Sequence, residues 1–338
     1  MHIQYNKDLT KLNTFGLAAS AAFFAEARSV RALSEIITSI EWNNIPKFIL
    51  GGGSNVLLLN NIDQLVIHLL IKGIEKIRED DDYVWLHAGG GEVWHDLVMY
   101  CVAHGYAGIE NLSLIPGTVG AAPMQNIGAY GVEIKEVVET VEALFLATGE
   151  LKVFTNKECN FGYRESVFKH SLKGKYVITG VTFRLNKVPQ FKVSYGDIKS
   201  TLNEMGITSY SIKSISDAVI RIRQSKLPDP AEIGNAGSFF KNPEIPADQY
   251  EKLKTYFPDM PGYHTGPGLV KVPAGWLIEQ ANWKGYREGA VGVHDRQALV
   301  LVHYGGGTGA QIKLLSEKIQ ASVEAKFGIK LMAEVNFV

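Results

Sequence analysis

The chain has few cysteines and almost no net charge. Cys101 and Cys159 are its two cysteines, and they form neither a Cys-x-x-Cys pair nor a metal-site spacing. We expect buried free thiols, with a disulfide as the minor alternative, which suits a reducing compartment. The formal net charge of −1 provides no general attraction for nucleic acid or an anionic membrane. Any anionic ligand must therefore be bound by local donors.

Several other signals are missing. The first residues, Met1 to Asp8, are polar and lack the apolar segment of a signal peptide. No apolar run approaches the roughly 18 residues of a membrane span. The nine histidines are scattered, with no His-x-x-x-His or His-Glu-x-x-His pattern. We expect a cytoplasmic protein with no metal site, no membrane partner and no nucleic-acid partner.

The length and the pattern of apolar residues predict the fold class. With 338 residues, 46% of them hydrophobic, two or three domains are expected. Helices and strands are interspersed without strict alternation, which favours α+β over a doubly wound sheet. Pro228 and Pro230 mark the clearest domain boundary. The pattern predicts helices at 29–40, 92–104, 215–224, 274–281 and 309–327, and strands at 48–50, 56–59, 65–70, 137–146, 176–185, 298–302 and 334–337.

One glycine-rich segment follows a predicted strand. It consists of Gly51, Gly52, Gly53, Ser54 and Asn55. Successive glycines let backbone N–H groups converge on an anion, and Ser54 and Asn55 add side-chain donors. The segment leads into another strand and lacks Gly-Lys-Ser/Thr, so it is neither a dinucleotide fingerprint nor a Walker loop. Phosphate binding and a plain tight turn both remain open.

A second segment, residues 115–131, is rich in small residues. Small side chains let a flat or extended ligand lie against the backbone, and Gln125 and Asn126 can pair with a heteroaromatic edge. A loop that packs two sheets is the alternative. Two such segments in one chain favour a dinucleotide ligand more strongly than either segment does separately. The candidate ligand contacts are Pro116, Gly117, Thr118, Gly120, Ala121, Gln125, Asn126, Gly128, Ala129 and Gly131.

Four further side chains are candidates for chemistry. Ser238 stands between a small flexible approach and two aromatics, where a hydroxyl can donate a proton. Arg164 lies among aromatics that suit a planar carboxylate contact, or pairs with Glu165 on the surface. Lys226 precedes the rigid proline pair and either holds a diphosphate or is solvated. Glu334 in the last predicted strand is either a tuned acid or a residue on the wet face.

These motifs together resemble the UDP-N-acetylenolpyruvoylglucosamine reductase family. The resemblance runs through nearly the whole chain. It is carried, in the family's order, by Asn13-Thr14-Phe15-Gly16, Gly51-Gly52-Gly53-Ser54-Asn55, Ile115-Pro116-Gly117-Thr118-Val119-Gly120, Gln125 to Gly131, Tyr163-Arg164-Glu165-Ser166, Ala236 to Pro243, and Glu334 to Phe337.

The resemblance implies a fold and a cofactor. It implies an FAD-binding fold like that of vanillyl-alcohol oxidase and p-cresol methylhydroxylase, with FAD subdomains at 1–72 and 73–227 and an α+β substrate-binding domain at 228–338. FAD is expected to be non-covalent, because neither glycine-rich segment contains the His or Cys through which related oxidases often tether a flavin. NADPH is the implied co-substrate and a nucleotide sugar the implied substrate; we also expect a monomer.

The resemblance also implies residue roles. Ser238 corresponds to the proton donor, and Arg164 and Glu334 to the other active-site residues. The region 257–273 corresponds to the extra loop of a longer subtype. One departure is Asn336, where the family usually has Arg. Two rival functions are a flavin-dependent oxidase and a non-catalytic nucleotide-sugar binding protein. The implied substrate contacts are Tyr195, Lys226, Asn242, Tyr263 and Gln297.

Overall fold

The structure is a computed structural model that describes residues 2–338. The chain forms two compact units. The first contains the chain up to Lys7, Ala21–Gly52 and Ile62–Ser225. The second contains Asp8–Ser20, Gly53–Asn61 and Lys226–Val338. Each unit therefore combines segments that are distant in sequence.

The helices and strands are mixed along the chain. The α-helices are α1 (Val30–Thr38), α2 (Trp94–His104), α3 (Ile198–Glu204), α4 (Ile212–Lys226), α5 (Ala247–Tyr256), α6 (Ala274–Gln280) and α7 (Gly309–Phe327). The strands are β1 (Ile3–Asp8), β2 (Ser20–Ala27), β3 (Lys47–Leu50), β4 (Val56–Leu57), β5 (Ile62–Leu69), β6 (Ile74–Glu79), β7 (Tyr83–Gly89), β8 (Gly128–Ala129), β9 (Val132–Glu133), β10 (Val138–Phe145), β11 (Leu151–Thr155), β12 (Tyr176–Asn186), β13 (Gly234–Ser238), β14 (Glu244–Pro246), β15 (Tyr263–Gly266), β16 (Leu269–Lys271), β17 (Arg287–Glu288), β18 (Val291–Val293), β19 (Val300–His303) and β20 (Asn336–Phe337).

The first unit is built on two main sheets. One has the strand order β1-β2-β5-β3, in which β5 pairs in parallel with both β2 and β3. The apolar face of α1, with Leu33, Ile36 and Ile37, packs in the same core as this sheet. The other sheet has the order β11-β10-β12-β7-β6 and is antiparallel throughout. Its core includes Trp94 and Phe183, whose rings meet edge to face.

The second unit has its own sheets and core. Its largest sheet is antiparallel with the order β13-β19-β18-β17, and β14-β16-β15 forms a smaller one. Strand β20 pairs in parallel with β4, so the last residues return to an early segment. Phe239, Ile312 and Ile319 lie in one apolar core with α6. This core is separate from the cores of the first unit, as expected for distinct domains.

The local predictions agree well with these elements. Helix α7 begins after Thr308, whose hydroxyl accepts from the N–H of Gln311, and ends at Gly328 in a left-handed conformation. Its observed range equals the predicted one. Ser29 caps α1 as expected, by accepting from the N–H of Ala32. The last predicted strand is shorter than expected, because only Asn336–Phe337 pair as a strand.

Some elements were not predicted. Strand β2 is rich in alanine, which has a low β propensity. In helix α5 only Tyr250 is buried, so the helix has no apolar stripe that would reveal it in the sequence. The mixture of separate parallel and antiparallel sheets with helices confirms the α+β class. No helix among residues 2–338 is long and apolar enough to cross a bilayer.

Candidate active site

The two glycine-rich segments touch within the first unit. A Cβ added to Gly51 would lie 2.8 Å from Oγ1 of Thr118, and one added to Gly52 would lie 3.1 Å from Cα of Gly117. The missing side chains therefore allow the two backbones to approach each other. The structure thus brings together the segments that the sequence singled out separately.

A third glycine run supports this contact and was missed by the sequence analysis. The run consists of Gly89, the last residue of β7, with Gly90 and Gly91 after it, and a Cβ on Gly90 would lie 2.5 Å from the carbonyl oxygen of Ile178. The N–H of Gly120 donates to the oxygen of Gly90 at 2.8 Å, and the N–H of Gly90 donates to Thr179 at 2.7 Å. The signal that could have identified this run is the same one, three consecutive glycines after a strand.

The first glycine-rich segment offers backbone donors. Within residues 2–338, the backbone N–H groups of residues 51–54 donate no hydrogen bond to another protein group. Gly53 has a φ of +62°, which suits a turn of successive N–H groups. Such a turn binds anions, because its N–H dipoles point to one side. This donor set fits the diphosphate of a dinucleotide.

Asn126 has a structural use for its side chain. The side chain is buried, and its Nδ2 donates to Oε2 of Glu133 at 3.1 Å and to the oxygen of Gly162 at 2.9 Å. Its Oδ1 accepts from the N–H of Lys135 at 3.1 Å. The amide of Asn126 thus fixes the second segment, since both its donor and its acceptor are taken up by protein groups. Of the other candidates in this segment, Thr118 and Gly120 are buried, Gly117, Gln125, Gly128 and Ala129 are half-buried, and Pro116, Ala121 and Gly131 are exposed.

Arg164 is held beside the second segment. Its backbone has a φ of +57°, which is uncommon for a residue with a side chain. Its Nη2 donates to the carbonyl oxygen of Gly128 at 2.8 Å, and its guanidinium lies 5.6 Å from the ring of Tyr163. The next carboxylate, Glu165, lies 2.6 Å from Nε2 of His170. The guanidinium therefore has a defined place in the first unit.

Ser238 ends strand β13 in the second unit and is exposed. The strand is irregular between Asn235 and Ser238, where Gly237 has a φ of +67°. The N–H of Gly237 donates to Oδ1 of Asn235 at 2.9 Å. Phe239 then turns into the core. The hydroxyl is thus carried by a tight turn on a rigid strand.

Glu334 lies beside this turn. Its N–H donates to the oxygen of Phe239 at 2.8 Å, and its own carbonyl accepts from Nδ2 of Asn55 at 3.2 Å. Asn336 in turn donates through Nδ2 to the oxygen of Asn55 at 3.0 Å. The second unit therefore gathers the segments of Ser238, Glu334 and Asn55. Asn336 thus links β20 to the first glycine-rich segment.

Comparison with known proteins decides the family. Residues 21–155 match the family described as "FAD binding domain", and residues 229–338 match "UDP-N-acetylenolpyruvoylglucosamine reductase, C-terminal domain". The chain is 53% identical to the UDP-N-acetylenolpyruvoylglucosamine reductase of Amoebophilus asiaticus, with both chains covered completely. The chain belongs to the UDP-N-acetylenolpyruvoylglucosamine reductase family.

Other relatives agree with this assignment. The UDP-N-acetylenolpyruvoylglucosamine reductase of Flavobacterium johnsoniae is 51% identical over the full length of both chains. The crystal structure of the reductase from Thermus caldophilus has a TM-score of 0.69 at 22% identity, and the match covers 99% of this chain and 98% of that one. That likeness shows a shared fold. The predicted family and its α+β FAD-binding fold with a further C-terminal domain are confirmed.

The residues that the reductase family implies for substrate binding have different local settings. Oδ1 of Asn242 accepts from the N–H of Ala274 at 2.9 Å, at the start of α6. Oε1 of Gln297 accepts from the N–H of Leu299 at 3.3 Å. Tyr195, Lys226 and Tyr263 are exposed. Their roles in the reductase remain predictions.

One half-buried cation was not singled out by the sequence. Arg223 on α4 lies in the first unit, and burial lowers the pKa of its guanidinium while a hydrogen bond to Tyr130 opposes that shift. Tyr130 belongs to the second glycine-rich segment, and Asn111 donates to its carbonyl at 3.0 Å. An arginine on an otherwise apolar helical face was the available signal. No cluster of metal-ligating side chains occurs within the described part of the chain.

Proposed function

We propose that this chain reduces UDP-N-acetylenolpyruvoylglucosamine to UDP-N-acetylmuramate with NADPH, through bound FAD, in the synthesis of peptidoglycan precursors. The observation that carries the proposal is the 53% identity to a named reductase over the full length of both chains. The FAD-binding family match over residues 21–155 supports the cofactor. Family names alone say nothing of residue roles, which rest on the contacts of each side chain.

FAD fits the glycine-rich segments of the chain. We assign its diphosphate to the backbone donors of residues 51–54 and its flat parts to residues 116–131, where small residues leave the backbone accessible. When bound, FAD supplies the hydride that it has received from NADPH. The absence of a His or Cys in both segments supports non-covalent binding.

Arg164 is assigned to the charge that develops on the substrate. Hydride addition at the terminal vinyl carbon converts the C=C bond into a carbanion conjugated with the substrate carboxylate. A guanidinium binds such a planar anion through two parallel N–H groups. Its fixed position against Gly128 supports this role, because a preorganised donor stabilises the transition state without first having to reorient.

Ser238 is assigned as the proton donor. The carbanion takes the hydroxyl proton at the carbon next to the carboxylate, which completes the addition of one hydride and one proton across the double bond. Serine is a weak acid, but the carbanion is a stronger base than an alkoxide would be in that site, so transfer is favourable. Glu334, on the neighbouring segment, is assigned to orient and re-protonate the serine.

The remaining assignments follow the same proposal. Lys226 binds the diphosphate of the nucleotide sugar. Tyr195, Asn242 and Gln297 contact the nucleotide sugar, and Tyr263 closes over the nucleotide. Residues 1–72 and 73–227 form the FAD-binding part, and 228–338 form the substrate-binding domain. The enzyme works in the cytoplasm as a monomer. Light scattering on the purified protein tests the oligomeric state directly.

Product analysis tests the function. Under anaerobic conditions the enzyme should consume NADPH and the enolpyruvyl substrate in equal amounts and release UDP-N-acetylmuramate, identified by mass. Flavin that is reoxidised by oxygen, with no response to that substrate, would indicate an oxidase instead. Nucleotide-sugar binding without any NADPH consumption would indicate a binding protein.

Ser238→Ala tests the proton donor. We expect flavin reduction by NADPH to stay within about twofold, and reoxidation by the enolpyruvyl substrate to slow by about 10²–10⁴-fold, as general acid help is worth. Stopped-flow absorbance of the flavin measures both half-reactions. Equal slowing of the two would exclude this role for Ser238.

A further inference from the structure

We infer that the loop of residues 9–17, together with Asn235, is a positioning device that fixes Ser238 relative to the first glycine-rich segment. The inference rests on the proposed role of Ser238, and it assigns a use to the Asn13-Thr14-Phe15-Gly16 motif. Every contact that supports it lies within the second unit. We call residues 9–17 the spacer loop.

The spacer loop is packed between two glycines. A Cβ on Gly53 would lie 2.0 Å from the carbonyl oxygen of Leu12, and a Cβ on Gly234 would lie 2.1 Å from that of Phe15. Both neighbours are backbone atoms, which cannot move aside as a flexible side chain would. The spacer loop thus contacts the glycine-rich segment on one side and the start of β13 on the other. Both contacts are too close for a side chain at the glycine.

Hydrogen bonds connect the same three segments. The N–H of Thr14 donates to the oxygen of Gly53 at 3.1 Å, and the N–H of Asn235 donates to the oxygen of Thr14 at 3.0 Å. The N–H of Gly237 then donates to Oδ1 of Asn235 at 2.9 Å. An unbroken series of bonds therefore runs from Gly53 to the residue before Ser238.

The spacer loop is itself held rigid. The side chain of Asn13 is buried; its Nδ2 donates to the oxygens of Leu9 and Leu17, and its Oδ1 accepts from the N–H of Leu17. His303 on β19 contacts the oxygen of Phe15 through Nδ1 at 2.8 Å, and its Nε2 accepts from the N–H of Gly307. Nδ1 of His303 is therefore the donor. A rigid loop can transmit a position, which a mobile one cannot.

Asn235 has no freedom to turn its amide. It is 2% exposed, and its Nδ2 donates to the carbonyl oxygens of Pro228 and Ile233 at 3.2 and 2.8 Å. Since Nδ2 faces two acceptors and Oδ1 faces a donor, only one orientation satisfies all three bonds. The side-chain amide therefore fixes the Gly237 turn, which carries the Ser238 hydroxyl, to the proline pair. The backbone N–H of Asn235 bonds to the spacer loop.

A misplaced hydroxyl would slow proton transfer without affecting hydride transfer to the flavin. A shift of about 1 Å in a reacting group can cost about 100-fold in rate. Asn235 touches neither the substrate nor the cofactor in this account. It acts through Ser238 and is a positioning residue.

The test compares three single variants and one double variant by stopped flow. The rates of flavin reduction and reoxidation are normalised to the amount of flavin-loaded protein. Asn235→Ala should slow reoxidation by the enolpyruvyl substrate about 10- to 100-fold and leave reduction by NADPH within about twofold. Asn235→Asp keeps the acceptor for Gly237 but sets a second oxygen against the carbonyl oxygens of Pro228 and Ile233, so it should also slow reoxidation. Asn61→Ala is the matched control, because Asn61 also accepts a backbone N–H in this unit, from Ser20, yet bonds to none of the three segments.

The double variant Asn235→Ala with Ser238→Ala separates positioning from general damage. In the Ser238→Ala background, Asn235→Ala should cause no further slowing, because the hydroxyl it positions is gone. Hydrogen exchange of the cofactor-free protein gives an independent readout. The peptide spanning residues 236–240 should exchange faster in Asn235→Ala and not in Asn61→Ala.

The outcomes divide clearly. If Ser238→Ala slows reoxidation but Asn235→Ala does not, or if their effects multiply, the positioning inference is wrong and the proposed function stands. If Ser238→Ala leaves reoxidation unchanged, the assigned proton donor is wrong and the inference falls with it. Equal slowing of both half-reactions by Asn235→Ala would show a structural role only, and would also overturn the inference.

Discussion

Glycine serves different purposes in two regions of the proposed site. In the first unit, Gly52 and Gly90 lie so close to neighbouring backbone that a Cβ would meet it at 3.1 and 2.5 Å. In the second unit, Gly237 has open space around its Cβ position and a φ of +67°. The first pair are needed for close approach and the last for an unusual backbone conformation.

The difference shows how each part of the proposed site is made. The cofactor part depends on backbone groups brought together by the absence of side chains. The part around Ser238 depends on one side chain, Asn235, that bends a strand so that a hydroxyl stands at its end. Substitutions that add a methyl group to a glycine should therefore have different effects in these two parts of the site.

The largest effect on the rate of flavin reoxidation in this comparison is expected at Arg164, a side chain of the first unit. Arg164→Lys keeps the positive charge but loses the planar pair of donors. We expect the rate of substrate-driven flavin reoxidation to fall about 100-fold, which is the usual cost of one donor to a developing anion. Stopped flow measures it. Arg184→Lys is the control, since that guanidinium lies on the surface over Tyr83; an equal loss there would contradict the prediction.

A smaller effect is expected from Gly90→Ala. The new methyl group would press on the carbonyl of Ile178, so we expect a loss of about 1–3 kcal/mol in the free energy of unfolding and reduced FAD content. Denaturant unfolding and flavin absorbance measure these. Gly174→Ala is the control, because that position is open and carries backbone strain alone. Normal FAD content in Gly90→Ala would argue against a close-packed cofactor region.

Gly237→Ala should cost less stability. An L-residue in the left-handed region loses about 1–2 kcal/mol, and no clash adds to it. We expect slower reoxidation by substrate but normal FAD content. Gly289→Ala has the same kind of strain, at a φ of +62° in open space, and should leave both half-reactions unchanged. If the two variants behave alike in stopped flow, the turn before Ser238 has no catalytic use.

The smallest effect concerns the two thiols, both in the core of the first unit. Burial raises the pKa of Cys159 to about 12 and that of Cys101 further still. At pH 8 both therefore remain protonated and unreactive in the folded protein. Iodoacetamide labelling should be negligible until denaturant is added. It should be faster in Gly90→Ala than in Gly237→Ala; rapid labelling of native protein would contradict the burial of both.

Local features of the chain predict local structure well. Helix α7 is found at its predicted bounds because its start and end are each set by one residue, Thr308 and Gly328. The placement of the Ser238 hydroxyl beside the flexible Gly237 is likewise predictable from the sequence. Pairings between distant segments are not. Nothing near Asn336 indicates that it would bond to Asn55, or that β20 would pair with β4.

The candidate site shows the same limit. The glycine-rich segments are evident from composition, and their contact at Gly51 and Thr118 follows from no local pattern. Asn126 was chosen for its hydrogen-bonding amide, and the structure shows that amide already bonded within the protein. Residue type gives the capacity for an interaction, while the fold decides which partner takes it up.

An anaerobic titration of the purified protein tests the central claim most directly. The protein should be yellow, lose its flavin absorbance on addition of NADPH, and regain it only when the enolpyruvyl nucleotide sugar is added. A protein that carries no flavin, or reduced flavin that stays bleached in the presence of that substrate, would contradict the account.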